Sequence, residues 1–562
     1  ELFKQHFNTD KPLETGEELT EFARDILRQK FLNADIGISG ANLIAAEEGS
    51  ILLVESEGNI RLTTQLPSVH IAIAGIEKII NSKRDFGIFI ELLAASATGQ
   101  SLTSYTNILE PPLDLPLLNL NNRDDTKREF HLVLLDNGRM KLREDEDMKE
   151  TLYCIRCSAC MNVCANFQAV GGHAFGGECY TGGIGGAWTV ATTGSIKDGR
   201  FAELCSGCTR CVPNCPVKID IPRLNTIIKN RLMKIEGGPS VQKLFFGNFS
   251  TLAKYASLTP KTSNWISNLN VTRSVMERII GFDRHRKTPP FANKTLVKQY
   301  KEHRQKYSQN KKLNNTLPEL ILFADSFTNY NSPNIGMAII KTFDKFGVSI
   351  TLSKVLAEGR ASQSQGLIGL SKRRAIRVAE YLENIIDDGK EIIVAEPSVL
   401  ALFRYDYKRL INDDILFNKL AKHTFDPIEY INMLVVNKQL KISDYLKKDR
   451  ERKKLFYHGH CQLKTIGAGY VASEFFKKLG YSVNVSNVEC CGMAGSFGYK
   501  KEFYKLSKNV GNDLINQIIL SDSFNNNTII LANGTSCREQ ISDELNNPIY
   551  HPIEYLETLL KL

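Results

Sequence analysis

Two cysteine runs of one spacing, set about fifty residues apart, limit what this chain can fold into more than any other feature. Cys154, Cys157, Cys160 and Cys164 form C-x2-C-x2-C-x3-C, and Cys205, Cys208, Cys211 and Cys215 repeat it with Pro216 next. The repeated run predicts a pair of [4Fe-4S] clusters, because three thiolates from one tight loop cap three irons and the fourth iron takes a thiolate from elsewhere. With the last cysteine of each run crossing over, one cluster is assigned to Cys154, Cys157, Cys160 and Cys215. The other is assigned to Cys205, Cys208, Cys211 and Cys164. Zinc is the competing reading, but it prefers two separated C-x2-C knuckles and fits three close cysteines per run badly. Ala165 stands where the first run would often carry proline, and Cys179 fits neither run, so it reads as a small buried apolar residue.

Of thirteen cysteines, nine lie between Cys154 and Cys215 and four from Cys461 onward. That clustering speaks for metal ligation in a reducing compartment, the cytoplasm, rather than for a disulfide scaffold. A length of 562 residues implies two to four domains. With 42% hydrophobic and 24% charged residues the composition is that of a soluble globular protein. No apolar run approaches the roughly 20 residues that cross a bilayer. The first residues carry neither a signal-peptide pattern nor an initiator methionine, so secretion is not expected and truncation at the start stays open. The net charge of +9 is local: residues 281–313 hold ten Lys or Arg against two acidic residues. This segment reads first as a solvated linker, and second as a contact with anionic lipid at the inner membrane face or with an acidic or quinone-linked partner. Nucleic acid is not expected, since no groove-reading motif accompanies the charge.

Helical spacing over 18–31 and β-branched runs at 51–54 and 69–74 predict an α/β module, closing with a strand at 131–135 and the turn Asp136-Asn137-Gly138. The middle, 148–235, is rich in cysteine and glycine and has no strand pattern. Pro289 and Pro290 break any long helix in the connector. From 317 onward, strands at 320–324, 349–352 and 392–395 alternate with helices at 336–346 and 371–385. The order then repeats, with strands at 454–457, 482–485 and 528–532 and helices at 467–479 and 503–518. The alternation implies parallel sheets covered on both faces, in two duplicated halves of three strands. Cys461, the pair Cys490-Cys491 before Gly492, and Cys537 each follow a strand's carboxyl end, the edge where open parallel sheets bind ligands. A third metal site is expected there, and four thiolates suffice for another iron-sulfur cluster. Unligated burial of these cysteines is the alternative. His458 and His460 flank the site as ligands, tuning groups or loop hydrogen-bonders. The matching loops of the first half, Ala324-Asp325-Ser326, 356–360 and 396–399, hold no thiols, so no cluster is expected there.

The first run, with Gly171-Gly172-His173-Ala174 and the stretch from Cys215 to Pro222, resembles the lactate utilization iron-sulfur protein family. Upstream, Ala34 to Asn42, Ala46 to Ser50, Gly58 to Thr64 and Ser96 to Gln100 resemble that family's LUD domain. The resemblance implies a Rossmann-like α/β fold related to sugar-phosphate isomerases and CoA transferases, whose beginning lies before the position matching Glu1. Asn42, Glu47, Thr98 and Gln100 become candidate substrate-binding residues, with turn roles equally open. From about Ser263 onward, Gly281-Phe282-Asp283-Arg284, His458-Gly459-His460-Cys461, Glu489 to Gly498 and Ser536-Cys537-Arg538 resemble the CCG cysteine-rich region of heterodisulfide reductase-like proteins and flavin-linked D-lactate or glycolate dehydrogenases. Some relatives carry a further cysteine where this chain has Gln540.

The expected organisation is a LUD domain at 1–140, a helical two-[4Fe-4S] ferredoxin-like domain at 141–236, a helical and basic linker at 237–316, and an α/β CCG domain at 317–562. The resemblances imply an oxidoreductase, a subunit of a lactate or 2-hydroxy acid dehydrogenase complex that passes electrons toward a quinone or another carrier. No flavin or NAD fingerprint is evident, since Gly182-Gly183-Ile184-Gly185-Gly186 follows no strand, so a flavin would belong to a partner subunit. The alternatives are a heterodisulfide or thiol reductase and a pure electron-transfer partner without its own substrate site.

Overall fold

The computed structural model describes residues 2–7, 13–111, 128–177, 180–307, 319–449, 451, 453–521 and 528–561; Cys179 lies outside the described residues. The chain divides into two compact units, Glu1–Arg143 and Glu144–Leu562.

In the first unit the helix Gly16–Leu32 opens on a capping box, with Thr15 accepting from the Glu18 amide and Glu18 accepting in return from the Thr15 amide. Three strands, β1 (Ile36–Ser39), β4 (Val69–Gly75) and β7 (Glu129–Leu135), form a parallel sheet in the order β1-β4-β7. A smaller mixed sheet has the order β5-β2-β3-β6, from β2 (Leu43–Ala45), β3 (Ile51–Glu55), β5 (Ile79–Ile80) and β6 (Tyr105–Leu109). Ala72 and Ala74 of β4 bury with Ile44, Ile51 and Leu53 in a core shared by the two sheets. The expected turn follows β7, with Asn137 and Gly138 at φ of 42° and 80°.

The second unit begins with the cysteine-rich segment, which is helical. The glycine pattern at 182–186 opens the helix Gly182–Thr193 and packs against the helix Ile221–Ile235. A Cβ on Gly183 would stand 2.9 Å from Ile221, and one on Gly186 would stand 3.0 Å from Asn225. These glycines set a close helix crossing.

Beyond them, the first parallel sheet holds β8 (Leu320–Phe323), β9 (Ile350–Leu352), β10 (Glu391–Val394) and β11 (Thr424–Phe425), ordered β11-β10-β8-β9. The second holds β12 (Lys454–His458), β13 (Val483–Val485), β14 (Thr528–Ala532) and β15 (Ile549–Tyr550), ordered β13-β12-β14-β15. Read from the opposite edge, the two orders are the same topology, so the halves are a duplication. Each half has four strands, however, not three: β11 and β15 are two residues long, below what an alternation pattern can register. Each leads into a helix with a matching start, Asp426-Pro427-Ile428-Glu429-Tyr430 and His551-Pro552-Ile553-Glu554-Tyr555, both closed by a capping box. The helices pair reciprocally. Pro333–Lys345 of the first half packs on Pro552–Leu559 of the second, and Pro427–Val436 packs on Val471–Lys478, the pattern of a two-fold interface within one chain. One apolar cluster is shared by both halves, with Leu322, Phe343, Ile431, Leu455, Phe476 and Leu556 in it.

The basic segment departs from the linker reading. Arg286 is fully buried, with Nε donating to Gly498 O at 3.0 Å, one terminal nitrogen to Asp543 at 2.6 Å and the other to Ser507 Oγ at 2.8 Å. Part of the positive charge therefore clamps the second half rather than facing water. Residues 308–313 of this segment lie outside the described residues.

Candidate metal centres

Both cysteine runs adopt one local conformation. Arg156 and Ser158 flank Cys157 with φ of 59° and 63°, and Gly207 and Thr209 flank Cys208 with φ of 72° and 63°. Left-handed backbone costs a non-glycine residue roughly 1–2 kcal/mol, so it persists only where the surroundings impose it. Each run then enters a one-turn helix, Ala159–Asn162 or Cys211–Asn214, and these two pack together. The runs are thereby laid side by side.

Cys154, Cys157, Cys160 and Cys215 line one cavity of about 270 Å³. Its apolar wall includes Tyr180, Ile184, Trp188 and Ile221, with Tyr180 and Trp188 stacked at 5.5 Å and the Arg156 guanidinium 5.2 Å from the Trp188 ring. Burial first, then Cys154, Cys215 and Cys157, push the Cys160 thiol up to about 11. Four mutually repelling thiols around such a space fit an inorganic iron-sulfur cube. A zinc ion would draw four sulfurs to about 2.3 Å and leave no cavity. The amide of Ile219 donates to Cys215 Sγ at 3.4 Å, a bond that favours thiolate over thiol.

The remaining four cysteines of the runs also act on one another. Burial raises Cys164 to about 11, with Cys205 adding to it. Burial first, then Cys208, Cys205 and Cys164, hold Cys211 well above the ordinary thiol value. Cys160 raises Cys211 as well, and the one-turn helices that carry these two cysteines pack together.

A third group lies at the carboxyl edge of the second sheet, where Cys461, Cys490, Cys491 and Cys537 are 1–6% exposed. The thiols act on one another: Cys461 and Cys491 push Cys490 well above the ordinary thiol value, and Cys490 and Cys537 hold Cys491 well below it. His458, Cys491 and Cys537 present ligand atoms within 4.8 Å of one another. His458 Nδ1 is 2.7 Å from Ser486 Oγ, and its Nε2 has no hydrogen-bond partner although the ring is fully buried. That orphaned nitrogen among thiols is the donor set of a soft metal site. His460 is different: it caps the helix Cys461–Thr465 by accepting from the Gln462 amide. Gly492 sits at φ +87°, where a Cβ would overlap the Ser507 carbonyl oxygen. Gln540 is buried, with Nε2 donating to Ser507 O at 3.3 Å.

The second and third groups touch. Burial raises Cys208, and among charged neighbours Cys461 acts on it first. Gln462 Nε2 donates to Gly207 O at 3.2 Å, Thr209 Oγ1 to Thr465 Oγ1 at 3.1 Å, and Arg210 pairs with Glu489 immediately before Cys490. Lys464 Nζ donates to Val488 O at 2.6 Å and fixes the same loop. Sequence spacing alone gave no sign of this junction.

At the matching edge of the first half stand carboxylates that the sequence reading passed over as mere non-thiols. Asp325, Glu358, Glu396 and Asp426 are all buried. Burial, then Glu396, raises Asp325 to about 7. Glu396 accepts from Thr535 N at 3.1 Å and Oγ1 at 2.8 Å, so this edge supports the loop carrying Cys537. The repeated Pro-Ile-Glu-Tyr at 427 and 552 was the available signal that the two edges correspond.

In the first unit, the candidate substrate residues stand at a hairpin, a turn and a helix end. Asn42 accepts from Val54 N at 2.9 Å in the β2–β3 hairpin, and Thr98 donates to Gln100 at 2.9 Å beyond a helix end, while Glu47 is an exposed turn residue.

Comparison with known proteins falls along the same lines. Residues 3–135 match the LUD domain family. Residues 150–219 match the 4Fe-4S dicluster domain. Lactate utilization protein B of Shouchella clausii is 43% identical over 218 residues, 39% of this chain and 44% of that protein. Its Bacillus subtilis counterpart is 39% identical over 269 residues, 47% and 54% of the respective chains. An uncharacterized electron transport protein of Escherichia coli, YkgF, is 41% identical over 228 residues, 40% of this chain and 45% of its own. The chain spans about half the length of these curated relatives. A DUF162 family protein of Deinococcus radiodurans aligns over 19% of this chain and 56% of its own at 15% identity, with a TM-score of 0.13. Among the described residues, no helix is long and apolar enough to cross a membrane.

Proposed function

We propose that this chain is the iron-sulfur electron-carrying subunit of a system that oxidises lactate or a related 2-hydroxy acid to the keto acid. The observation that carries the reading is the cavity faced by Cys154, Cys157, Cys160 and Cys215, because its fourth thiol comes from the other run. Iron-sulfur clusters bound there, at Cys164, Cys205, Cys208 and Cys211, and at Cys461, Cys490, Cys491 and Cys537 would take up and release single electrons. The chain's own residues prepare these places. Tyr180, Ile184 and Trp188 keep water from one wall of the first, and the amides of Ile219 and Gly492 donate to Cys215 and Cys490 sulfurs. Gln462, Thr465 and Arg210 hold the second and third thiol groups against each other.

The names of the relatives support lactate as the substrate class. Removing two electrons from a 2-hydroxy acid calls for a hydride acceptor, and a flavoprotein partner subunit would supply it in the cytoplasm, with a quinone as the final carrier. Burial of the four late thiols weighs against a heterodisulfide or thiol reductase, since a disulfide has no open approach to their sulfurs.

Anaerobic purification with iron and sulfide counting is the test. The paired runs account for about eight iron per chain and the third site for about four more. Cys461→Ser should remove only the third share and leave the low-temperature magnetic signals of the other two. A colourless preparation without labile sulfide sinks the proposal, and reduction by a dithiol but not by lactate with a flavoprotein fraction replaces it with the reductase reading.

A further inference from the structure

The helices between the cysteine-rich segment and the first sheet bury Phe246, Ala253 and Leu296 but turn other apolar residues outward. In Asn270–Ile279, Val271, Val275 and Ile279 recur every fourth residue on one stripe, and all three are exposed, at 75%, 48% and 64%. The preceding helices add Tyr255 at 65%, Leu258 at 75% and Trp265 at 64%. No residue of the helix Pro260–Asn268 is buried, and the only buried one in Asn270–Ile279 is Glu277.

The charge on this run has one sign. Residues 241–279 contain five Lys or Arg and one carboxylate, Glu277, which is buried and paired with Arg284 at 2.6 Å. Lys254, Lys261 and Arg278 are exposed among the apolar residues, and Lys287 and Lys298 continue the exposed positive charge beyond them, while Lys294 pairs with Glu302. Over these 39 residues the surface therefore offers no exposed carboxylate. Protein interfaces deplete lysine and ordinarily present both signs of charge. Neighbouring carboxylates meet this run at its start, where Glu502 accepts from Gln242 and Glu203 from Lys243. Beyond it, an aliphatic stripe with a tryptophan and a tyrosine whose own exposed charges are cations is the chemistry of a helix lying in the headgroup layer of an anionic bilayer. Leu244, at the start of the same run, also lines an open groove of about 360 Å³ with Met233, Pro239 and Leu367, and Lys234 and Arg373 join that lining.

We propose that the helical run 241–279 is a monotopic membrane-docking face that seats this chain on an anionic phospholipid surface. The proposal does not rest on the redox reading. It gives the positive segment a partner of stated chemistry and sets the depth of contact at the interface rather than across it.

The chain has two tryptophans, Trp188, which is buried, and Trp265, so insertion can be followed directly. The anaerobically purified full chain is mixed with vesicles of phosphatidylglycerol and phosphatidylethanolamine, or of phosphatidylcholine alone. Co-sedimentation is measured together with the emission difference between wild type and Trp265→Phe. Binding to the anionic vesicles, a blue shift assigned to Trp265 and weakening by salt are expected. Lys254→Gln and Lys261→Gln should each weaken binding about fivefold, the effect of one cation near an anionic surface. Val271→Ser with Ile279→Ser should weaken it further, without changing the visible absorbance of the purified protein. Equal binding to both vesicle types, binding without a Trp265 shift, or insensitivity to these variants overturns the proposal. So does self-association by sedimentation velocity that the Val271→Ser, Ile279→Ser variant abolishes, because the face would then belong to a second copy.

Discussion

Adding one methyl group at Gly492 tests how tightly the late thiol loop is specified. Two costs combine at that position. The residue sits at φ +87°, where an alanine loses roughly 1–2 kcal/mol to left-handed strain. Its Cβ would also overlap the Ser507 carbonyl oxygen and stand 2.9 Å from Gly511 N, both backbone atoms of one helix. Forcing that helix back adds about 1–3 kcal/mol, the usual penalty of overpacking. Gly495, three residues on, is the control, with φ +62° and nothing within 4 Å of its Cβ. Gly495→Ala therefore carries the strain alone, about 1–2 kcal/mol. Both tryptophans lie in the second unit, so anaerobic urea unfolding followed by their fluorescence reports on that unit. Gly492→Ala should lose about 2–5 kcal/mol against wild type and release iron from the third site first. Equal losses for the two alanine variants, within about 0.5 kcal/mol, would refute the contact argument.

Three further outcomes are expected. Arg286→Met leaves Asp543 without its buried partner and should cost about 3–5 kcal/mol by the same unfolding assay, whereas a solvated linker residue would cost almost nothing. Cys215→Ser should perturb the magnetic signal that also depends on Cys154, and Cys164→Ser the signal that depends on Cys205; the reverse pairing would overturn the crossed assignment. Asp325 has its carboxyl raised from 3.8 to about 7, so its protonated form is the one the fold favours. What it contributes is complete below the unfolded value and is lost as pH rises to about 7, by as much as about 4 kcal/mol. Asp325→Asn should then match wild type near pH 4 and exceed it near pH 8 in urea midpoint, and a gap that stays constant with pH counts against this reading.

Periodicity carried the sequence reading where elements are long. The strands at 320, 454 and 528 and the helices at 333, 368 and 504 lie within a few residues of their expected positions, because each has an apolar face repeated several times. β11 and β15 escaped because two residues cannot alternate, although Pro-Ile-Glu-Tyr after each marked them. The thiol runs were legible because ligand spacing is local. What stayed hidden is what tertiary packing decides: that Arg286 is a clamp, that Gly183 and Gly186 serve a helix crossing, and that carboxylates occupy the edge where the second half has thiols. The outward stripe at Val271, Val275 and Ile279 has the periodicity of a core helix, and only burial tells the two apart.

The seam between Thr209 and Thr465, with the Gln462–Gly207 hydrogen bond and the Arg210–Glu489 pair beside it, joins two sulfur-rich places by direct contacts. Distance there belongs to the fold and not to diffusion. Were clusters to occupy both places as proposed, electrons would cross this joint at one rate in thin or viscous solvent, and a dependence on added glycerol would point to steps between separate molecules.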